Sequence, residues 1–293
     1  MDINICLVNN ITGSCIMKKK LFKCNNNFNY YYYHQIPIKK NAIYIFIKHI
    51  TKDIHDKLIL LKKKSNYLIY EPLDTFWECS DISEYKLKIK EYMRYFDCIL
   101  CNNNYITKIS KTIFPDKKFI INYHEYDIKY NCNNLNVQNN IYYIGTLKKQ
   151  SLHKNIINKY NIKIINSNFT KNIDNNYIGI HIDFILDNKF YYYLHTSTKL
   201  GTCLINNSIF ICNRIPIYLE LLGNEYEFYI NDDLSNLDII IDKAKNTIKH
   251  KTKYISYLKK MKYIKDKLSP ENCYNNYITL FNKIYENKIK KNK

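Results

Sequence analysis

The run Ser197-Thr198-Lys199-Leu200 places two hydroxyls and an ammonium at the head of an apolar segment. The start of a helix carries unpaired N–H groups and a partial positive charge, so it favours a pyrophosphate. Ser197 and Thr198 are residue types that cap such a start, and Lys199 adds a full charge beside it; an ordinary capped surface helix is written with the same letters. Downstream follow a turn at Asn207-Ser208, the apolar run Ile209–Ile211, then Arg214-Ile215-Pro216 and Glu220-Leu221-Leu222-Gly223. A second segment, Tyr142-Tyr143-Ile144-Gly145-Thr146, reads as a strand ended by a glycine, with Lys148 and Lys149 just beyond. In the first half, Ile69–Asp74 and Phe119–Asp127 are apolar runs that pass into polar loops holding Asp74 and His124. Both loops fall at the carboxyl edge of a parallel sheet, where open α/β folds place ligands. His124 suits a general base, an acceptor contact or a satisfied loop position, and Asp74 suits a base or a turn or cap residue. His181 and Asp183, two apart on one strand, share a face.

The segment from Ser197 to Gly223 resembles the donor-site stretch of GT-B glycosyltransferases of the group 1 type. There a Ser/Thr-Lys-Leu opens a helix, a small-residue turn and a buried strand follow, and a Pro-containing loop leads to a Glu-Leu-Leu turn. The resemblance implies a metal-independent transferase that moves a sugar from a nucleotide-sugar, its donor substrate, to a glycan, protein or lipid acceptor. It also implies two Rossmann-like domains facing each other across a cleft, with the donor mainly on the second. Gly145 and Thr146 then lie near the donor diphosphate. Lys199, with Lys148 or Lys149, stabilises the departing diphosphate, and Thr202 and Glu220 contact ribose or sugar hydroxyls. Two positions depart from the pattern: Thr202 stands where the family carries a ribose-binding Glu, and Asn207 where it carries Gly. Asn tolerates the left-handed backbone that such a turn uses. The Glu-x7-Glu signature of many retaining members is missing.

These residues need a scaffold, and the hydrophobic pattern supplies one. Apolar runs at Ile3–Val8, Ala42–Ile47, Tyr67–Tyr70, Cys98–Cys101 and Phe119–Asn122 alternate with helical periodicity at 54–64, 83–95 and 102–114, which implies βαβ units and a parallel sheet. Asn25–Tyr33 reads as a polar, aromatic loop. Asn131–Asn140 is rich in Asn, lacks a period and reads as a linker. The pattern restarts with strands at Ile141–Ile144, Ile162–Ile165, 177–185, Ile209–Cys212 and Phe228–Ile230, helices at 149–160, 196–205 and Pro216–Leu222, and two tail helices at 236–248 and 270–289. The expected fold class is therefore α/β, with an N-terminal acceptor domain over 1–130, a donor domain over 140–265 and a helix over 266–293 that returns to the body. Tyr274, Tyr277, Phe281, Ile284 and Tyr285 give that helix an aromatic packing stripe.

The absences narrow the choice. With five glycines and neither GxGxxG nor GxxxxGK[ST], NAD-type Rossmann and P-loop readings fail. Without an Asp-x-Asp, a metal-dependent GT-A enzyme is disfavoured, and no metal site is expected. The net charge of +19 attracts anions, yet Arg94 and Arg214 are the two arginines, and a diffuse Lys excess gives no stable nucleic-acid partner. The ten cysteines sit mostly in apolar runs without metal-ligand spacing, as buried thiols of a reducing, cytoplasmic compartment. No run reaches the roughly 18–20 apolar residues of a membrane span. Two rival readings remain: a GT-B protein that binds without catalysing, and a basic nucleic-acid-binding protein.

Overall fold

The structure is a computed structural model that describes residues 2–7, 13–23, 28–48, 50, 54–73, 79–126, 139–144, 154–165, 179–184 and 195–291. It divides into two compact units. One is Met1–His124 with Leu194–Thr196 and Pro270–Lys293; the other is Glu125–Tyr193 with Ser197–Ser269.

The first unit holds a six-stranded parallel sheet in the order β2-β1-β3-β4-β5-β6. Its strands are β1 (Ile3–Leu7), β2 (Phe28–Tyr32), β3 (Ile43–Ile47), β4 (Tyr67–Glu71), β5 (Cys98–Cys101) and β6 (Lys118–Ile121). β3 and β5 are buried at every position, the pattern of strands covered on both faces. The helices are α1 (Gly13–Lys23), α2 (His55–Lys63), α3 (Ile82–Met93) and α4 (Asn104–Ile113). At the head of α4, the Asn103 side chain accepts a hydrogen bond from the Ile106 amide at 2.9 Å.

Two elements differ from the sequence expectation here. Asn25–Tyr33 was expected to be a loop, but Phe28–Tyr32 pairs in parallel register with β1. After Phe28 the strand is one Asn and three Tyr, all partly exposed, which an edge strand tolerates, and tyrosine is a good strand former. The helix ahead of it, α1, also went unread.

The second unit holds a five-stranded parallel sheet in the order β11-β10-β9-β7-β8. Its strands are β7 (Ile141–Ile144), β8 (Lys163–Ile165), β9 (Ile180–Asp183), β10 (Ile209–Asn213) and β11 (Tyr229–Ile230). Its helices are α5 (Lys154–Lys159), α6 (Thr198–Ile205), α7 (Pro216–Leu222), α8 (Leu237–Lys249) and α9 (Lys251–Lys267). Pro216 opens α7, where its fixed φ suits the first turn and its missing N–H is not needed. Asn207 takes φ +51 in the turn from α6 to β10, the left-handed conformation that Asn tolerates.

The tail carries three helices where two were expected. The extra one, α9, lies in a segment so rich in Lys that its apolar spacing is easy to miss. The last, α10 (Pro270–Lys291), belongs to the first unit, where Tyr277, Leu280, Phe281 and Ile284 join the core of the six-stranded sheet. Tyr274 packs against that core, whereas Tyr285 is half exposed. The linker stretch falls largely outside the described residues.

Candidate functional site

In the second unit β7 and β9 are neighbours, and the chain winds outward from them in opposite directions. That reversal is the switch point where open α/β sheets leave a crevice beyond their carboxyl ends. Asp183 is the last residue of β9, and its side chain is fully buried. A carboxylate stripped of water must be paired, and this one is. Lys199, in the first turn of α6, donates to Asp183 Oδ1 at 2.6 Å, and the Tyr218 hydroxyl, from α7, donates to Oδ2 at 2.5 Å. Lys199 Nζ also donates to the Tyr143 hydroxyl at 3.0 Å and lies 4.3 Å from the Tyr143 ring centre. Four elements therefore converge on one ion pair.

Packing holds the partners in place. Tyr218 sits edge-on to Phe210 of β10, with ring centres 5.0 Å apart. The α6–β10 turn is braced from α9: the Tyr254 hydroxyl donates to the Asn207 carbonyl, and Tyr257 accepts from the Phe210 amide at 3.3 Å and donates to the Ser208 carbonyl at 3.3 Å. Gly201 faces Tyr126 so closely that a Cβ there would lie 2.8 Å from the Tyr126 Cβ. Lys199 keeps 26% of its side chain exposed, so the pair is not sealed from solvent.

The first unit has a polar cluster of its own at the carboxyl edge. Glu71 ends β4, wholly buried, with Lys18 of α1 at 3.2 Å and equally dehydrated. The Tyr277 hydroxyl of α10 donates to Glu71 Oε2 at 2.5 Å, and Asn122, just past β6, donates to Oε1 at 3.4 Å. This cluster binds α10 to the sheet.

No protein-family model matches the chain, and no curated protein matches it in sequence. Solved structures do. HepE of Anabaena, in complex with UDP-glucose, is similar with a TM-score of 0.64 and 10% identity, over 96% of this chain and 99% of that one. The DNA-modifying β-glucosyltransferase, studied with and without uridine diphosphoglucose, reaches a TM-score of 0.51 at 11% identity, over 94% and 98%. The pneumococcal O-GlcNAc transferase GtfA, in complex with UDP and GlcNAc, reaches 0.53 at 7% identity, over 85% and 58%.

The chain has the GT-B fold. Within it, the residues singled out from the sequence fall in three groups. Lys199 stands at the start of a helix beside the switch point of the second Rossmann-like unit. Asp183 joins it, whereas His181 is buried on β9 with its ring 5.7 Å from that of Tyr142. Around them, Ser197 is the N-cap of α6 but has helical backbone angles and makes no side-chain cap hydrogen bond, which differs from the capping expected of it. Thr198 begins the helix. Thr202 is buried, its hydroxyl donating to the Thr198 carbonyl at 2.8 Å. Glu220 is half-buried on α7.

His124 is buried in the first unit, after β6. Asp74, Gly145, Thr146 and Lys148 lie outside the described residues. Sequence reasoning missed Tyr218 and the part played by Tyr143. A tyrosine in an apolar helix such as Pro216–Leu222 reads as core; only the buried carboxylate opposite it gives the hydroxyl a purpose.

Proposed function

We propose that the chain is a glycosyltransferase that moves a sugar from a nucleotide-sugar to a glycan, protein or lipid acceptor. The observation that carries this reading is a Lys199 about a quarter exposed, held by the buried Asp183 at the carboxyl edge of a GT-B second unit. As the bond from sugar to diphosphate breaks, negative charge builds on the leaving oxygen. A fixed ammonium and a helix start stabilise that charge without reorganising during the step. Asp183 and Tyr143 restrict the Lys199 rotamers, so the ammonium is in place before the donor arrives. Charge supplied in this way makes the transfer independent of a metal ion.

Gly145, Thr146 and Lys148, beyond β7, line the same diphosphate in this reading. Glu220 contacts ribose or sugar hydroxyls, and Thr202 supports the helix from which Lys199 projects. His124 or Asp74 takes the proton of the acceptor. The seven buried free thiols among the described residues suit a reducing, cytoplasmic compartment. No helix among the described residues is long and apolar enough to cross a membrane.

One observation favours a second reading, a GT-B protein that binds nucleotides without catalysis: the Thr202 hydroxyl is turned to its own helix. Calorimetry with UDP- and GDP-sugars, followed by mass-spectrometric detection of released nucleotide, separates the two. An enzyme binds at least one donor and releases its nucleoside diphosphate; binding without turnover supports the second reading. Failure to bind any donor removes both.

A further inference from the structure

Between Lys249 and Lys267 the chain carries eight lysines against a single aspartate, Asp266, a net of +7 out of +19. Most of this charge is on α9. The helix is rooted by Tyr254, Tyr257, Met261 and Ile264, whose three- and four-residue spacing makes one buried face. At 3.6 residues per turn, Lys251, Lys253, Lys259, Lys260 and Lys262 fan over an arc of about 200° on the other side, and all five are exposed. Among the described residues none of the five forms an ion pair. Two large apolar side chains stand in the middle of this cationic arc: Tyr263, 72% exposed, and Ile255, 41% exposed.

We propose that α9 is a membrane-docking element that seats the second unit on a bilayer containing anionic phospholipids. Clustered lysines on an amphipathic helix are drawn to a negatively charged headgroup layer. A tyrosine and an isoleucine among them suit the boundary between headgroups and acyl chains, where a tyrosine ring keeps its hydroxyl wet. Nucleic acid is the poorer match: the arc contains no arginine for bidentate phosphate or base contacts. Hydrogen bonds from Tyr254 and Tyr257 to the α6–β10 turn hold the helix in the folded unit, so docking does not have to order it. The proposal stands independently of the glycosyltransferase reading.

The test is co-sedimentation of the full chain with vesicles of phosphatidylcholine alone or with about 30% phosphatidylglycerol, at about 0.1 M salt. The protein should pellet with the anionic vesicles only and be released by high salt. Lys259→Glu/Lys262→Glu should lower the partition coefficient about a hundredfold or more. Tyr263→Ser should lower it several-fold while leaving the salt dependence unchanged. An equal charge reversal elsewhere, Lys108→Glu/Lys111→Glu on exposed positions of α4, should have little effect. Circular dichroism and thermal melting confirm that each variant is folded. Equal binding to neutral vesicles, no binding to either kind, or equal loss in the α4 variant would overturn the proposal. So would displacement of the lipid by a DNA duplex at equal phosphate concentration.

Discussion

Replacing Lys199 by Met exposes what the ammonium does for the fold as well as for a ligand. Asp183 then keeps the Tyr218 hydroxyl at 2.5 Å and loses the cation at 2.6 Å. Breaking a fully buried pair from one side costs about 3–5 kcal/mol, because the other charge is left uncompensated. A quarter of Lys199 is open to water, which screens the pair, so about 2–3 kcal/mol is expected here. For a unit of this size that lowers Tm by roughly 4–12 °C. Asp183→Asn should cost less, about 1–2 kcal/mol, since the freed ammonium can reach solvent. The double variant Lys199→Met/Asp183→Asn contains no unpaired charge and should be clearly more stable than the sum of the single losses predicts, with a coupling energy of about 2 kcal/mol. Differential scanning fluorimetry and urea titration measure the stabilities; calorimetry with a nucleoside diphosphate measures binding. The double variant should recover stability without recovering binding. Strictly additive losses, or a Lys199→Met variant as stable as the parent, would refute the reasoning about the pair. A double variant that binds nucleoside diphosphate as well as the parent would refute the assignment of Lys199 to the phosphates.

Further predictions concern packing, thiols and metal. Gly201→Ala drives a methyl to 2.8 Å from the Tyr126 Cβ, a rigid neighbour, and should cost about 1–3 kcal/mol in thermal unfolding; an unchanged Tm would mean that the backbone yields freely there. Among the described residues seven cysteines are free and buried, so at most three of the chain's ten should react with Ellman's reagent in the native protein and all ten in urea; fast reaction of more than three would contradict the burial. Burial pushes the Cys98 and Cys101 thiols from 9.0 up to about 12. Their protonated forms therefore favour the folded state. Their contribution is fully present below pH 9 and is lost as the pH rises from 9 towards 12, which melting curves of the parent and of Cys98→Ala/Cys101→Ala should resolve as a shallower alkaline decline in the variant. Sugar transfer, once a donor is found, should survive EDTA unchanged; loss of activity that Mg2+ or Mn2+ restores would refute the metal-independent chemistry.

The α/β layout was legible because parallel sheets bury both faces of their central strands. Runs such as Ile43–Ile47 and Ile209–Asn213, apolar at nearly every position and bounded by turn residues, have few other ways to be satisfied. Legibility declined wherever that pressure relaxed. β2 is an edge strand, so one Asn and a run of Tyr are enough for it, and the same letters describe a loop. α9 buries four side chains in 17 residues and presents lysines elsewhere, so its apolar stripe is diluted below what the eye picks out. The bounds of β5, by contrast, followed from pattern alone: its four residues are those expected.

The candidate site was legible to the extent that chemistry is written in consecutive residues. Ser197-Thr198-Lys199 announces a helix start with a cation, and the helix begins at Thr198. What consecutive residues do not carry is the neutralising partner. Asp183 lies on another strand and Tyr218 on another helix, and neither is marked by its sequence neighbours, which are apolar core. The consequence is chemical as well as cartographic. Read from sequence, Lys199 is a bare positive charge waiting for phosphate. In the fold it already has a carboxylate, so a phosphate must compete with Asp183 or share the ammonium with it. An arriving diphosphate brings two negative charges against one and meets the open quarter of the side chain, so it can share the ammonium while the buried pair stays intact. On the proposed reading, then, Lys199 binds phosphate less tightly than an unpaired lysine would, but with its direction fixed in advance. That trade suits a leaving group that must be held as its charge grows and then released.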